Sequence, residues 1–130
     1  MSAEHHGVSV GLERSNSGVL LSLHVRGKLT HEDYEAIVPM LESAIAGEEN
    51  PKIDVFMNAV EMEGWEPRAA WDDLKLGLKH GRHFNRVAVV GSKRWLELMT
   101  RAGSLMIGGE ARYFENEESA MAWLNIKKAA

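Results

Sequence analysis

The stretch Arg86-Val87-Ala88-Val89-Val90-Gly91 decides the fold. Four consecutive apolar residues, mostly β-branched, end in a glycine, and a helix-like segment follows at Ser92. A strand that is apolar on both sides needs cover on both faces. That is the situation of an interior parallel strand, not of a half-wet antiparallel one. The domain is therefore expected to be a layered α/β structure.

Upstream of that strand, a helix is expected from Glu66-Pro67, since proline suits a first helical turn. Ala70, Leu74, Gly77, Leu78 and Gly81 trace its expected inward stripe, with Asp72, Asp73, Lys75 and Lys79 in solvent. Before it, residues 52–60 read as a strand and 61–64 as a loop. Thr30-His31-Glu32-Asp33 has the makings of a capping box, and Tyr34, Ile37, Val38, Leu41, Ala44 and Ile45 recur at helical spacing. Pro39 interrupts that helix and removes one amide donor, so a kink is expected there. Gly47 ends it.

Further back, Val8–Arg14 and residues 19–26 alternate as strands around the turn chemistry of Ser15-Asn16-Ser17-Gly18, which makes an antiparallel hairpin. Downstream of Gly91, Ser92 is expected to cap a third helix, Glu110 to Phe114 to form a short strand, and Asn116 to cap a last helix. In that last helix Ala120, Met121, Trp123 and Leu124 face inward. The order is β-β-α-β-α-β-α-β-α, and right-handed crossovers make the later strands parallel. The whole length, residues 1–130, reads as a single domain.

Composition narrows the function classes. The 130 residues can bury a real core, and 45% hydrophobic with 26% charged residues is ordinary for a soluble domain. A net charge of −4 argues against a nucleic-acid partner, which needs a basic face. The absence of cysteine excludes disulfides and thiolate chemistry and fits a cytoplasmic location. The amino terminus, Met1-Ser2-Ala3-Glu4-His5-His6-Gly7, lacks a signal-peptide layout and is expected to be frayed. No apolar run approaches the roughly 20 residues that span a bilayer, so any membrane contact is peripheral.

The six histidines raise the question of a metal. His80 and His83 are spaced to share a helical face, but no third ligand accompanies them, and no metal site is expected. His24 reads as an outward strand residue or a satisfied core histidine, not as a general base. Gly108-Gly109 is a turn and not a phosphate loop, and Gly91-Ser92 reads as a plain cap. Asp72 and Asp73 are adjacent and so diverge on a helix. No catalytic residue and no cofactor is expected.

Particular words in the chain carry a resemblance. They are Glu63-Gly64-Trp65, Ala70-Trp71-Asp72-Asp73-Leu74-Lys75, Leu78-Lys79-His80, Phe84-Asn85-Arg86-Val87-Ala88-Val89-Val90-Gly91, Lys93-Arg94-Trp95 and Glu110-Ala111-Arg112-Tyr113-Phe114. Asp33-Tyr34-Glu35 and Val38-Pro39 join them. In this order they resemble the SpoIIAA-like branch of the STAS superfamily, the sulfate transporter and anti-sigma factor antagonist domains. The resemblance implies a small bacterial protein with a mixed sheet flanked by four helices. It also implies a regulatory interaction with a protein partner, switched in true antagonists by a phosphorylated hydroxyl near the start of the second helix. Between Ile53 and Gly77 there is no serine, threonine or tyrosine, so that switch has no acceptor here. The branch is similar in architecture to CRAL-TRIO lipid-carrying domains as well, which points to small ligands or membrane surfaces.

The remaining signal is an apolar surplus on the helices that flank the parallel strands. Trp65 and Trp71 stand around the start of the second helix. Trp95, Leu96, Met99, Leu105, Met106 and Ile107 mark the third helix and its exit. Glycines at 103, 108 and 109 would let that exit move as a methionine-rich lip over an apolar cavity. Those residues are the expected site for an apolar or lipid-like small molecule, and Lys93, Arg94 and Arg101 are placed to meet lipid phosphates.

Overall fold

The computed structural model describes residues 2–5, 7–14 and 18–125, without the side chains of residues 2–5, Leu74 and Leu78. Its strands are β1 (Ser2–His5), β2 (Val8–Arg14), β3 (Gly18–Leu29), β4 (Lys52–Trp65), β5 (Phe84–Val90) and β6 (Glu110–Phe114). Its helices are α1 (His31–Ile45), α2 (Pro67–His80), α3 (Arg94–Ser104) and α4 (Glu117–Leu124), with a 3₁₀ turn at Gly81–His83 after α2. The strands lie in one sheet in chain order. The first three are antiparallel, and β3, β4, β5 and β6 run parallel. The mixed sheet with four helices is the expected architecture. Ser15, Asn16 and Ser17, expected in the hairpin turn, lie outside the described residues, as does His6.

The β5 strand is covered on both faces. Val87 and Val89 belong to the larger core under α1, α2 and α3. Ala88 and Val90 face the smaller cluster built with Phe56, Ala120 and Leu124 on the α4 side. Alternation along one strand thus feeds two cores, which is why four apolar residues stand in a row.

Helix α1 begins as read. Thr30 accepts the Asp33 amide, and the Asp33 carboxylate takes the Thr30 amide at 2.8 Å. Its buried stripe is Tyr34, Ile37, Leu41 and Ile45, each apolar body stabilising the fold by about 1.5–3 kcal/mol. The helix continues through Pro39, which lies on the exposed side. Asn116 caps α4 by accepting the Ser119 amide at 2.8 Å.

Three expectations need correction. The terminus expected to fray forms β1, with Ser2 opposite Gly11 and His5 opposite Val8. Residues 61–64, expected as a loop, belong to β4. Pairing with β3 continues to Leu29 opposite Trp65, after register shifts near Arg26 and Gly27, and the buried side chains of Leu29 and Met62 hold the extension in place. Ser92 does not cap α3. Lys93 occupies the cap position because the Tyr113 hydroxyl from β6 accepts its backbone N–H at 2.9 Å. No helix among the described residues is long and apolar enough to cross a membrane.

Candidate functional site

A cavity of about 180 Å³ lies between the sheet and the helices on its α1–α3 side. Its floor is one face of the parallel strands, with Leu21 and Leu23 from β3, Val55 and Met57 from β4, and Val87 and Val89 from β5. The pairwise spacing is what period-two alternation requires. Tyr34 and Ile37 of α1, Trp65 at the end of β4, and Leu96, Met99 and Thr100 of α3 form the walls. Asp73, Leu76 and Gly77 of α2 close it above, and Met106 and Ile107 form its edge.

The inward face of α2 is the expected one in part: Gly77 lines the cavity and Gly81 is buried, while Ala70 is only half-buried. Ala69 is fully buried, Asp72 is 9% exposed, and Asp73, Leu76 and Gly77 line the cavity. The side chains of Leu74 and Leu78 lie outside the described residues. Asp72 is therefore not solvated as expected, whereas Asp73 is exposed as expected; both reach across to α1. Lys75 and Lys79 stay at the surface. Trp71 faces outward, 59% exposed, and does not line the cavity.

Of the residues expected at the site, Trp65, Leu96, Met99, Met106 and Ile107 come together around the cavity. Trp71, Trp95 and Leu105 do not. Trp95 packs half-buried against the main core from the first turn of α3, and Leu105 points away at 89% exposure. Met99 and Met106, 41% and 38% exposed, each touch cavity and solvent, so they make its lip. Lys93 is turned inward, its Nζ donating to the Met62 carbonyl, which removes it from the cations expected to face lipid. Arg94 and Arg101 are exposed.

The cavity has one polar wall that the sequence did not reveal. The Tyr34 hydroxyl donates to Asp73 Oδ1 at 3.0 Å. Burial pushes the Asp73 carboxyl up from its ordinary value, and the Tyr34 hydrogen bond pulls it partly back. Asp73 is nonetheless exposed to solvent, and it also borders the cavity. The Tyr34 phenol is held well above the usual tyrosine range, first by burial and then by the Asp73 charge beside it. The Trp65 Nε1 is buried without a completed hydrogen bond, close enough to the Tyr34 oxygen to favour its ionised form slightly. Thr100 is satisfied by donating to the Leu96 carbonyl at 2.8 Å. The available signal was a phenol within the apolar stripe of α1, since a buried hydroxyl requires a partner.

On the outer side of the same two helices runs a groove of about 380 Å³. His31 Nδ1 pairs with Asp72 at one end, and His31 Nε2 lies 3.3 Å from Glu35. At the other end Glu42 holds Lys79 at 2.7 Å and His80 at 2.8 Å, which keeps its carboxyl below the ordinary value. Tyr34 and Leu76 line groove and cavity alike. His24 faces outward from the sheet and pairs with Glu61 at 2.9 Å. Among the described residues, no three histidine or acidic side chains are grouped to hold a metal ion.

Comparison with known proteins fits this geometry. No curated protein matches the chain. The crystal structure of an uncharacterised protein with a SpoIIAA-like fold from Shewanella loihica PV-4 is 46% identical, covering 95% of this chain and 98% of that one with a TM-score of 0.77. The anti-sigma factor antagonist SpoIIAA in its unphosphorylated form is 14% identical over 89% of this chain and 97% of that one, with a TM-score of 0.56. That second likeness concerns the fold alone. The SpoIIAA-like family model matches residues 20–125, from the third strand through the last helix, and the chain belongs to the SpoIIAA-like family.

Proposed function

We propose that the chain is a non-enzymatic, cytoplasmic binding module that holds a compact apolar or amphipathic molecule beneath α2 and α3. The observation that carries this reading is the void of about 180 Å³ with an almost wholly apolar lining. Protein interiors pack close to crystal density, so an apolar space of this size between helices and sheet departs from ordinary core packing. A void lipped by two flexible methionines is best explained by an occupant. A cavity of roughly 150 Å³ accepts benzene, so this one suits a ring or a short chain. A complete phospholipid is too large. A longer acyl chain enters only if Met99 and Met106 swing outward. The exposed Leu98 and Leu105 beside the lip, with Arg94 and Arg101 on the same helix, support loading at a membrane surface.

The test is mass spectrometry of an organic extract from the natively purified protein, paired with binding of an apolar dye. A stoichiometric small molecule is expected, with Met106→Asp weakening dye binding and Trp71→Ala leaving it unchanged. An empty extract together with unaltered dye binding in Met106→Asp refutes the assignment. Trp71 favours a second reading. An indole 59% exposed outside the cavity suits a protein partner seated on the outer face of α2, recognised without phosphorylation. A partner that co-purifies with the wild type and is lost in Trp71→Ala distinguishes it.

A further inference from the structure

Asp72 and Asp73 are neighbours on α2 with opposite electrostatic surroundings. Asp72 is paired with His31 and has Lys75 at 3.6 Å. Asp73 has no cation among the described residues; its partner is the neutral Tyr34 hydroxyl on Oδ1. Among the described residues it is also the one charged side chain lining the cavity. Asp73 is exposed as well, so its carboxylate stands where an apolar cavity meets water, without a cation of the protein's own beside it. Tyr34 supplies one bond, and Oδ2 retains its capacity to accept. The surrounding walls include the rings of Trp65, Tyr34 and Phe84, whose faces attract cations.

Resting on the binding-module reading, we infer that the ligand is a small organic cation, an amine on a compact hydrocarbon body, with its ammonium group against Asp73. The ammonium supplies the counter-charge that the protein omits, and its N–H groups satisfy the free carboxylate oxygen. The hydrocarbon body lies over the floor of Leu23, Met57 and Val89. A fatty acid or other carboxylate is disfavoured, because two like charges would share an apolar space. Burial already raises the Asp73 carboxyl, as expected of a carboxylate without a counter-cation.

The experiment is calorimetric titration of the whole chain with phenethylamine, its neutral analogue phenethyl alcohol, and phenylacetate. The amine is expected to bind at least about tenfold more tightly than the alcohol, and phenylacetate not measurably. Asp73→Asn should bring the amine down to the level of the alcohol and leave the alcohol within about twofold. On the wild type, amine affinity should fall as pH is lowered through the Asp73 titration while alcohol affinity stays flat. That arm decides the question if Asp73→Asn does not fold. Tyr34 from α1 and Asp72 on α2 are the other titratable groups coupled to this site, and neither gains a proton-dependent role toward the alcohol. Equal affinity for amine and alcohol, or no pH dependence, overturns the inference and leaves the cavity reading standing. Failure of both amine and alcohol to bind overturns the cavity reading, and this inference with it.

Discussion

Gly77→Ala separates a functional cavity from a packing defect. Gly77 sits inside α2, where glycine is about 1 kcal/mol less favourable than alanine. An added Cβ would lie 3.2 Å from Met106 Cε and 3.9 Å from Met106 Cβ. The nearer atom is the tip of a flexible, partly exposed side chain, so it yields by a few tenths of an ångström. The new methyl on the cavity side contributes up to about 0.8 kcal/mol more, less a small cost for moving Met106. The net expectation is a stabilisation of about 1 kcal/mol, or a rise in Tm of about 4 °C. The same methyl narrows the cavity at its lip, so affinity for phenethylamine or an apolar dye should drop about fivefold, or about 1 kcal/mol. Urea denaturation of the unliganded protein and calorimetry on the same sample give both numbers. Destabilisation by more than about 1 kcal/mol would show that Met106 is locked and the steric reasoning wrong. Stabilisation with unchanged binding would mean that the ligand does not sit here.

Tyr34→Phe removes the hydrogen bond that draws the Asp73 carboxyl down, so carbon NMR should find Asp73 titrating higher still, with stability reduced by about 1 kcal/mol. The wild-type Tyr34 keeps its proton in the folded state well beyond the unfolded value. Its contribution is complete below about pH 10 and is lost as pH rises toward and through the folded pKa. Urea midpoints across that range should fall in the wild type and flatten in Tyr34→Phe. Gly109→Ala places a Cβ 1.7 Å from the Asn85 carbonyl oxygen at the start of β6, so loss of several kcal/mol, or of folding, is expected in urea unfolding. Gly103→Ala meets nothing within 4 Å on α3 and should instead gain up to about 1 kcal/mol.

The elements that were legible are those whose apolar side chains repeat. Val87 to Val90 announced a strand buried on two faces, and the caps at Thr30 and Asn116 located two helix starts from local hydrogen bonding alone. In helix α2 the spacing located Gly77 and Gly81 on the inward side but missed Ala69, Asp72 and Leu76, which share no apolar period. Apolar periodicity has no means of finding such a face. The start of α3 was misplaced because a hydroxyl twenty residues away, on Tyr113, determines it. At the site, Met99, Met106 and Ile107 stood out as an apolar surplus near flexible glycines. Trp71 and Trp95 were included for their size, which says nothing about the direction in which a helix turns them. The Tyr34–Asp73 pair, 39 positions apart, exists only through the packing of α1 on α2.

That packing explains how the cavity survives. A helix over a sheet normally descends until its side chains fill the space beneath it. Among the described side chains, Gly77 and Ala69 offer little volume there beside Leu76, so descent would be expected to narrow the gap. What opposes it is the seam with α1. His31 and Asp72 fasten one end, Tyr34 and Asp73 the middle, and His80 and Lys79 with Glu42 the other end. Hydrogen bonds fix distance and direction in a way that apolar contact does not, so α2 is held at the height set by α1. Large side chains at Ala69 and Gly77 would have made the seam unnecessary by packing directly onto the strands. Small residues below and polar ties along one edge instead produce a roof fixed at one side, with the methionine lip of α3 as the boundary free to adjust.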